Sequence, residues 1–145
     1  EEFNALYQDL LGRYAAYNEG GRETVEKLKG KVSQYAVTNG TKNAQIRKLK
    51  GSGLDQLLDG VFISEDIGIE KPGVGFFDAI WPVIGPYDKS EIMIVGDSLT
   101  SDMLGGNHAG IVCCWYNPEG KERIPGLRLD YEIRHLEEVG SIINA

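Results

Sequence analysis

The chain has 145 residues and is poor in those that staple or interrupt a fold, with two cysteines, two histidines and five prolines. Cys113 and Cys114 are adjacent inside an apolar run, where a bond between them would close a strained eight-membered ring, and no third cysteine exists. Both are expected to be reduced core residues, and a disulfide scaffold is excluded. Neither histidine has the cysteine or histidine neighbours of a zinc site; His108 reads as a residue near a helix C-terminus and His135 as a surface residue. No apolar run approaches the roughly 18 residues of a membrane span. Glu1-Glu2-Phe3 has neither the basic start nor the apolar core of a signal peptide. Positive charge is the scarcer sign: 15 Lys and Arg against 22 Asp and Glu leave a net charge of −7. That field repels phosphate backbones and anionic lipid. Nucleic-acid polymers and membranes are therefore not expected as partners, and a cytoplasmic location is. A G-x-S-x-G elbow and a G-x-x-x-x-G-K-[ST] loop are both lacking, which removes the commonest signals for serine hydrolases and P-loop nucleotide binding.

What is present is ordinary globular composition, 41% hydrophobic and 26% charged, with glycine high at 19 residues. Without a G-X-Y period, that glycine content points to many tight turns. From residue 22 onward, short apolar runs alternate with amphipathic segments, the pattern of βαβ units around a mostly parallel sheet. Strands are expected over 32–37, 61–64, 92–95, 111–115 and 129–133. Helices are expected over 22–30, 41–50, 73–84, 100–109 and 135–143, with Pro82 kinking or fraying the third. Ahead of these, Phe3, Leu6, Tyr7, Leu10, Leu11 and Tyr14 recur at helical spacing, which predicts a helix over 3–17 ended by Gly20-Gly21.

In open α/β sheets, ligands bind beyond the carboxyl ends of the strands, so the polar residues there carry the functional argument. Three loops qualify. Thr38-Asn39-Gly40 offers a hydroxyl and backbone N–H groups at the start of a helix, a cradle for a phosphate oxygen, although it is also common turn chemistry. Lys71, before Pro72, can place an ammonium over a phosphate or a carboxylate, or simply be solvated. Gly96-Asp97-Ser98-Leu99-Thr100-Ser101-Asp102 puts one carboxylate at the tip of the most apolar strand and another in the next helical turn. Two carboxylates in open geometry suit Mg²⁺, which takes one or two protein oxygens plus water and substrate phosphate. Asp102 in a first helical turn also serves the helix dipole. Asp97 has no such bland role, because a carboxylate against Ile92–Val95 is costly to desolvate without a cation. Ser98 and Ser101 supply N-cap chemistry beside the two carboxylates.

Taken in this order, the three loops resemble motifs II, III and IV of the haloacid dehalogenase-like hydrolases. The stretches Ser64-Glu65-Asp66-Ile67-Gly68 into Glu70-Lys71-Pro72, and Gly96 to Asp102 followed by Gly105-Gly106-Asn107, resemble the pyrimidine 5′-nucleotidase branch. The resemblance covers residues 20–140. It implies a Rossmann-like α/β core and hydrolysis of a phosphomonoester, a nucleoside 5′-monophosphate in this branch, through an aspartyl-phosphate. It further implies that Asp97 ligates Mg²⁺ directly and Asp102 through water or from behind. Thr38, Asn39 and Gly40 would hold the phosphoryl group, and Lys71 would offset its charge.

The family's nucleophile lies in a D-x-D-x-[TV] motif on its first strand, ahead of motif II, and this sequence contains no D-x-D. The expectation is therefore a core over 19–145 that lacks this central strand, preceded at 1–18 by the helical end of a cap, and a chain inactive by itself. The absent initiator Met agrees with that expectation. The gap would be filled by the missing N-terminal segment or by a second copy. The alternative is a non-catalytic phosphate- or metal-binding module. A signalling receiver domain is disfavoured by order, since Thr38 and Lys71 both precede Asp97.

Overall fold

A computed structural model describes residues 4–8, 21–39, 41–85 and 88–143. The apolar run Ile92–Val95 is buried on both faces as strand β4 (Ile92–Gly96), as a near-continuous hydrophobic strand in a parallel sheet should be. Around it, β1 (Asn4–Gln8), β2 (Ser33–Thr38), β3 (Gly60–Ile63), β5 (Val112–Tyr116) and β6 (Tyr131–Ile133) complete a six-stranded sheet. Its order is β3-β2-β1-β4-β5-β6, and every pairing is parallel. This is the Rossmann-like α/β architecture expected from the sequence.

Side-chain alternation along each strand sorts the core into two layers. Ala5, Met93, Val95 and Cys114 pack with Val25 and Leu28 of α1 (Gly21–Leu28) and Val139 of α7 (Glu138–Ile143). On the other face, Leu6, Val37, Ile94 and Cys113 pack with Phe76 and Phe77 of α4 (Val74–Asp78), Ile84 of α5 (Trp81–Ile84) and the segment leading into α6 (Leu104–Ala109). Helix α2 (Lys42–Ser52) is capped by Thr41, whose hydroxyl accepts from the Ala44 amide at 3.4 Å. It ends at Gly53 with φ of 80°, a left-handed conformation suited to glycine. The short helix α3 (Ser64–Ile67) follows β3 directly.

The structure corrects three expectations. Residues 4–8, read as part of a helix over 3–17, form strand β1; the rest of that helix, 9–17, lies outside the described residues. Helical spacing of a few apolar residues was a local signal, and pairing on both sides overrides it: Ala5 stands opposite Gln34 and Met93, Leu6 opposite Tyr35 and Ile94. For the same reason the sheet has no gap between β2 and β4, because the chain's own residues occupy it. The third correction is the helix expected over 73–84, which is two short helices, and Pro82 sits in the first turn of the second, where its missing N–H is no loss.

Cys113 and Cys114 are free, fully buried thiols. Burial, the largest influence on each, pushes Cys113 up to about 11 and Cys114 up to about 12. Both stay protonated at neutral pH, so iodoacetamide should label neither in the folded chain and both after denaturation. Because the folded values lie above the unfolded one of 9.0, their contribution to stability is complete below that pH. It is lost as pH rises through 11 to 12. Rapid labelling of the native chain at pH 7.5 would contradict the placement of these side chains.

Candidate functional site

The carboxyl ends of β2 and β4 flank that of β1, and the three loops singled out by sequence meet there. Register aligns Gln8 with Val37 and Tyr7 with Val95, so all three strands end at one level. Thr38, the last residue of β2, is buried, and its hydroxyl donates to the Asn39 carbonyl at 3.2 Å. Gly40 lies outside the described residues.

Lys71 is the hub. Its backbone is bracketed by the Asn39 side chain, whose Oδ1 accepts from the Lys71 amide at 2.9 Å and whose Nδ2 donates to the Lys71 carbonyl at 3.2 Å. Its side chain reaches under β2, donating from Nζ to the Val37 carbonyl at 3.1 Å and to Asp102 Oδ1 at 2.8 Å. The sequence allowed a solvated lysine; the structure leaves both side chains of this ion pair 0% exposed. Such a pair persists only where hydrogen bonds satisfy both partners, and here backbone groups do so on each side.

Asp102 arrives by way of a π-turn over Leu99–Met103. Ser98 caps it, its Oγ accepting from the Ser101 amide at 3.0 Å, while its carbonyl accepts from the amides of Asp102 and Met103 at 3.1 and 3.0 Å. The extra residue per turn swings Asp102 beneath the end of β4, where Oδ2 accepts from the Ser98 amide at 3.1 Å. Gly96 makes the approach possible, since a Cβ there would stand 2.7 Å from Asp102 Cγ. Burial, outweighing the Lys71 ammonium and the Ser98 amide, raises the Asp102 carboxyl above the ordinary carboxylate range. Asp97 is half-exposed at the rim of the crevice, and its carbonyl accepts from the indole Nε1 of Trp115 at 3.0 Å.

The structure thus joins Thr38, Asn39, Lys71, Asp97, Ser98, Ser101 and Asp102 in one locality, but with distinct jobs. Asp97 stands just past the end of β4 and is partly exposed. Asp102 is fully buried with both oxygens engaged by Lys71 and Ser98, so it is not the second open carboxylate that the sequence alone indicated. His108 and His135 are exposed and outside the site. Sequence reasoning missed the Val37 carbonyl, which has no side-chain signature, and the Trp115 indole, which reads as core.

Among the described residues, no three His, Cys, Asp or Glu side chains come together as a metal-holding group. One half-exposed carboxylate backed by a buried one fits Mg²⁺, a cation that relies on water and substrate oxygens rather than on an all-protein cage.

Residues 2–116 match the haloacid dehalogenase-like hydrolase family. A protein named as a HAD-hydrolase, YfnB of Bacillus subtilis, is 37% identical over 126 residues, 87% of this chain and 54% of its own length. Its crystal structure, described as bound to magnesium, superposes with a TM-score of 0.84 over 87% of this chain and 55% of that one. The pyrimidine 5′-nucleotidases PynA of Streptococcus pneumoniae and YjjG of Escherichia coli are 34% and 31% identical over 92% and 98% of this chain, and 56% and 63% of their own lengths. This chain belongs to the haloacid dehalogenase-like hydrolase family, and it spans little more than half the length of these relatives.

Proposed function

We propose that this chain supplies motifs II, III and IV of a phosphomonoester hydrolase that acts on nucleoside 5′-monophosphates through an aspartyl-phosphate. The observation that carries this reading is the contact of 2.8 Å between Lys71 Nζ and Asp102 Oδ1, with the Lys71 backbone bracketed by Asn39. It links residues of all three motifs beside the carboxyl ends of the strands, which supports a phosphoryl-transfer reading. The named activities of PynA and YjjG favour a pyrimidine nucleotide. Among the described residues no helix is long and apolar enough to cross a membrane, and a phosphorylated small molecule is the proposed partner.

In this reading Thr38 and the backbone N–H groups after it hold the transferring phosphoryl group, while Lys71 offsets the charge that grows on it. Asp102 keeps the ammonium aimed at the strand ends. Asp97 would hold Mg²⁺, which supplies positive charge against the phosphoryl oxygens. The nucleophilic aspartate is proposed to lie outside these residues, because the sequence has no D-x-D. The catalytic motifs fall within 19–145, the part proposed as the core, and Asn4–Gln8 lends that core a strand. A second reading, a non-catalytic binding module, draws on the same missing motif and on a sheet completed from within the chain.

Phosphate release from a panel of nucleoside 5′-monophosphates with Mg²⁺ separates these readings when this chain is compared with the longer reading frame. Turnover by the longer protein alone is expected. Turnover by the 145-residue chain would mean that another carboxylate serves as nucleophile; turnover by neither would favour the binding module.

A further inference from the structure

Two polar groups at the end of β4 belong to the same peptide unit and are held from opposite sides. The carbonyl of Asp97 accepts from Trp115 Nε1 at 3.0 Å, and the amide of Ser98, across that peptide bond, donates to Asp102 Oδ2 at 3.1 Å. The last paired residues of the β4–β5 ladder are Gly96 and Trp115. Beyond them the chain turns away, and the indole takes up the first carbonyl past the ladder. Trp115 is 1% exposed, so its ring is fixed by the core around it and its N–H is desolvated. A buried indole N–H left without its acceptor costs free energy, which makes the contact a constraint on the peptide as well as on the ring.

We infer that Trp115 is a positioning residue for the candidate site. Its indole N–H locks the Asp97–Ser98 peptide plane, and that plane sets both the direction of the Asp97 carboxylate and the amide that holds Asp102 against Lys71. The inference rests on the proposed function for its Mg²⁺ consequence only. The lock itself is a property of the chain. Outer partners that orient a metal-holding group typically govern affinity by about tenfold or more.

The test is amide NMR on this chain, with two readouts. Trp115→Phe removes the donor and shrinks the ring; 3-benzothienylalanine at position 115, introduced in a Trp81→Phe background, replaces the N–H by sulfur while keeping the shape. In both, exchange of the Ser98 amide is expected to accelerate by about tenfold, while amides of β2 and β3 keep their protection. Titration with MgCl₂ is expected to shift the Asp97 and Ser98 resonances with an affinity about tenfold weaker than in the unsubstituted chain. Wild-type exchange at Ser98 and wild-type Mg²⁺ affinity in the benzothienyl protein would overturn the inference. Accelerated exchange with no Mg²⁺ response in any version would uphold the lock and refute the metal role of Asp97 instead.

Discussion

Replacing Asp102 by alanine should destabilise this chain by about 3–5 kcal/mol, measured by guanidinium denaturation, because it strands the Lys71 ammonium without its counter-charge in a site closed to water. That is a large share of the total stability of a domain this size. The pair is not symmetric. Lys71→Met leaves Asp102 behind, and a buried carboxyl without its cation can take up a proton. Burial already raises the Asp102 carboxyl, and removing Lys71 takes away the influences that lower it. A group whose folded pKa exceeds its unfolded value favours the folded state most at low pH and loses that contribution as pH rises through the folded value. The stability deficit of Lys71→Met should therefore be small in acid and grow as pH rises above the ordinary carboxylate range. A deficit that is flat across pH 4 to 8, or a harmless Asp102→Ala, would contradict the buried pair.

In the longer protein, Asp97→Asn should lower kcat by about a hundred- to a thousandfold, the scale of losing one preorganised electrostatic group at a phosphoryl-transfer centre. The substitution keeps the side chain's size at a half-exposed position and leaves the carbonyl that Trp115 holds. Circular dichroism and the denaturation midpoint should accordingly match the unsubstituted protein. Unchanged turnover would remove Asp97 from the metal site, and a shifted midpoint would assign it a structural role instead.

Much of this architecture could be read from residues alone, and the exceptions share a cause. Ile92–Val95 announces a strand buried on both faces, and Gly53 announces a helix end, because both signals are local. Asn4–Gln8 does not announce itself: five residues cannot establish a period, and what makes them a strand is β2 and β4 on either side. The site divides in the same way. Motif order locates Thr38, Lys71 and Asp97, yet that order does not say that Asn39 spends its amide on the Lys71 backbone. Nor does it say that a π-turn carries Asp102 inward, because such a turn depends on Gly96 leaving room for the carboxylate. Trp115 is the extreme case, since one N–H among buried rings acquires a role only from the carbonyl it happens to face.

The place of β1 in the strand order also sets a timetable for folding. As the chain is synthesised, Asn4–Gln8 precede both of their partners, and one of these, Ile92–Gly96, comes far later, after β2 and β3 have been made. A loop of that length must close before the burial of Ala5 and Leu6 repays its entropy, which is the slow kind of contact. Until it closes, β2 and β3 can pair on one side and β4, β5 and β6 on the other. Because β1 joins the strand that ends at Thr38 to the strand that leads into Asp97, the site is expected to be completed only when this long-range pairing forms.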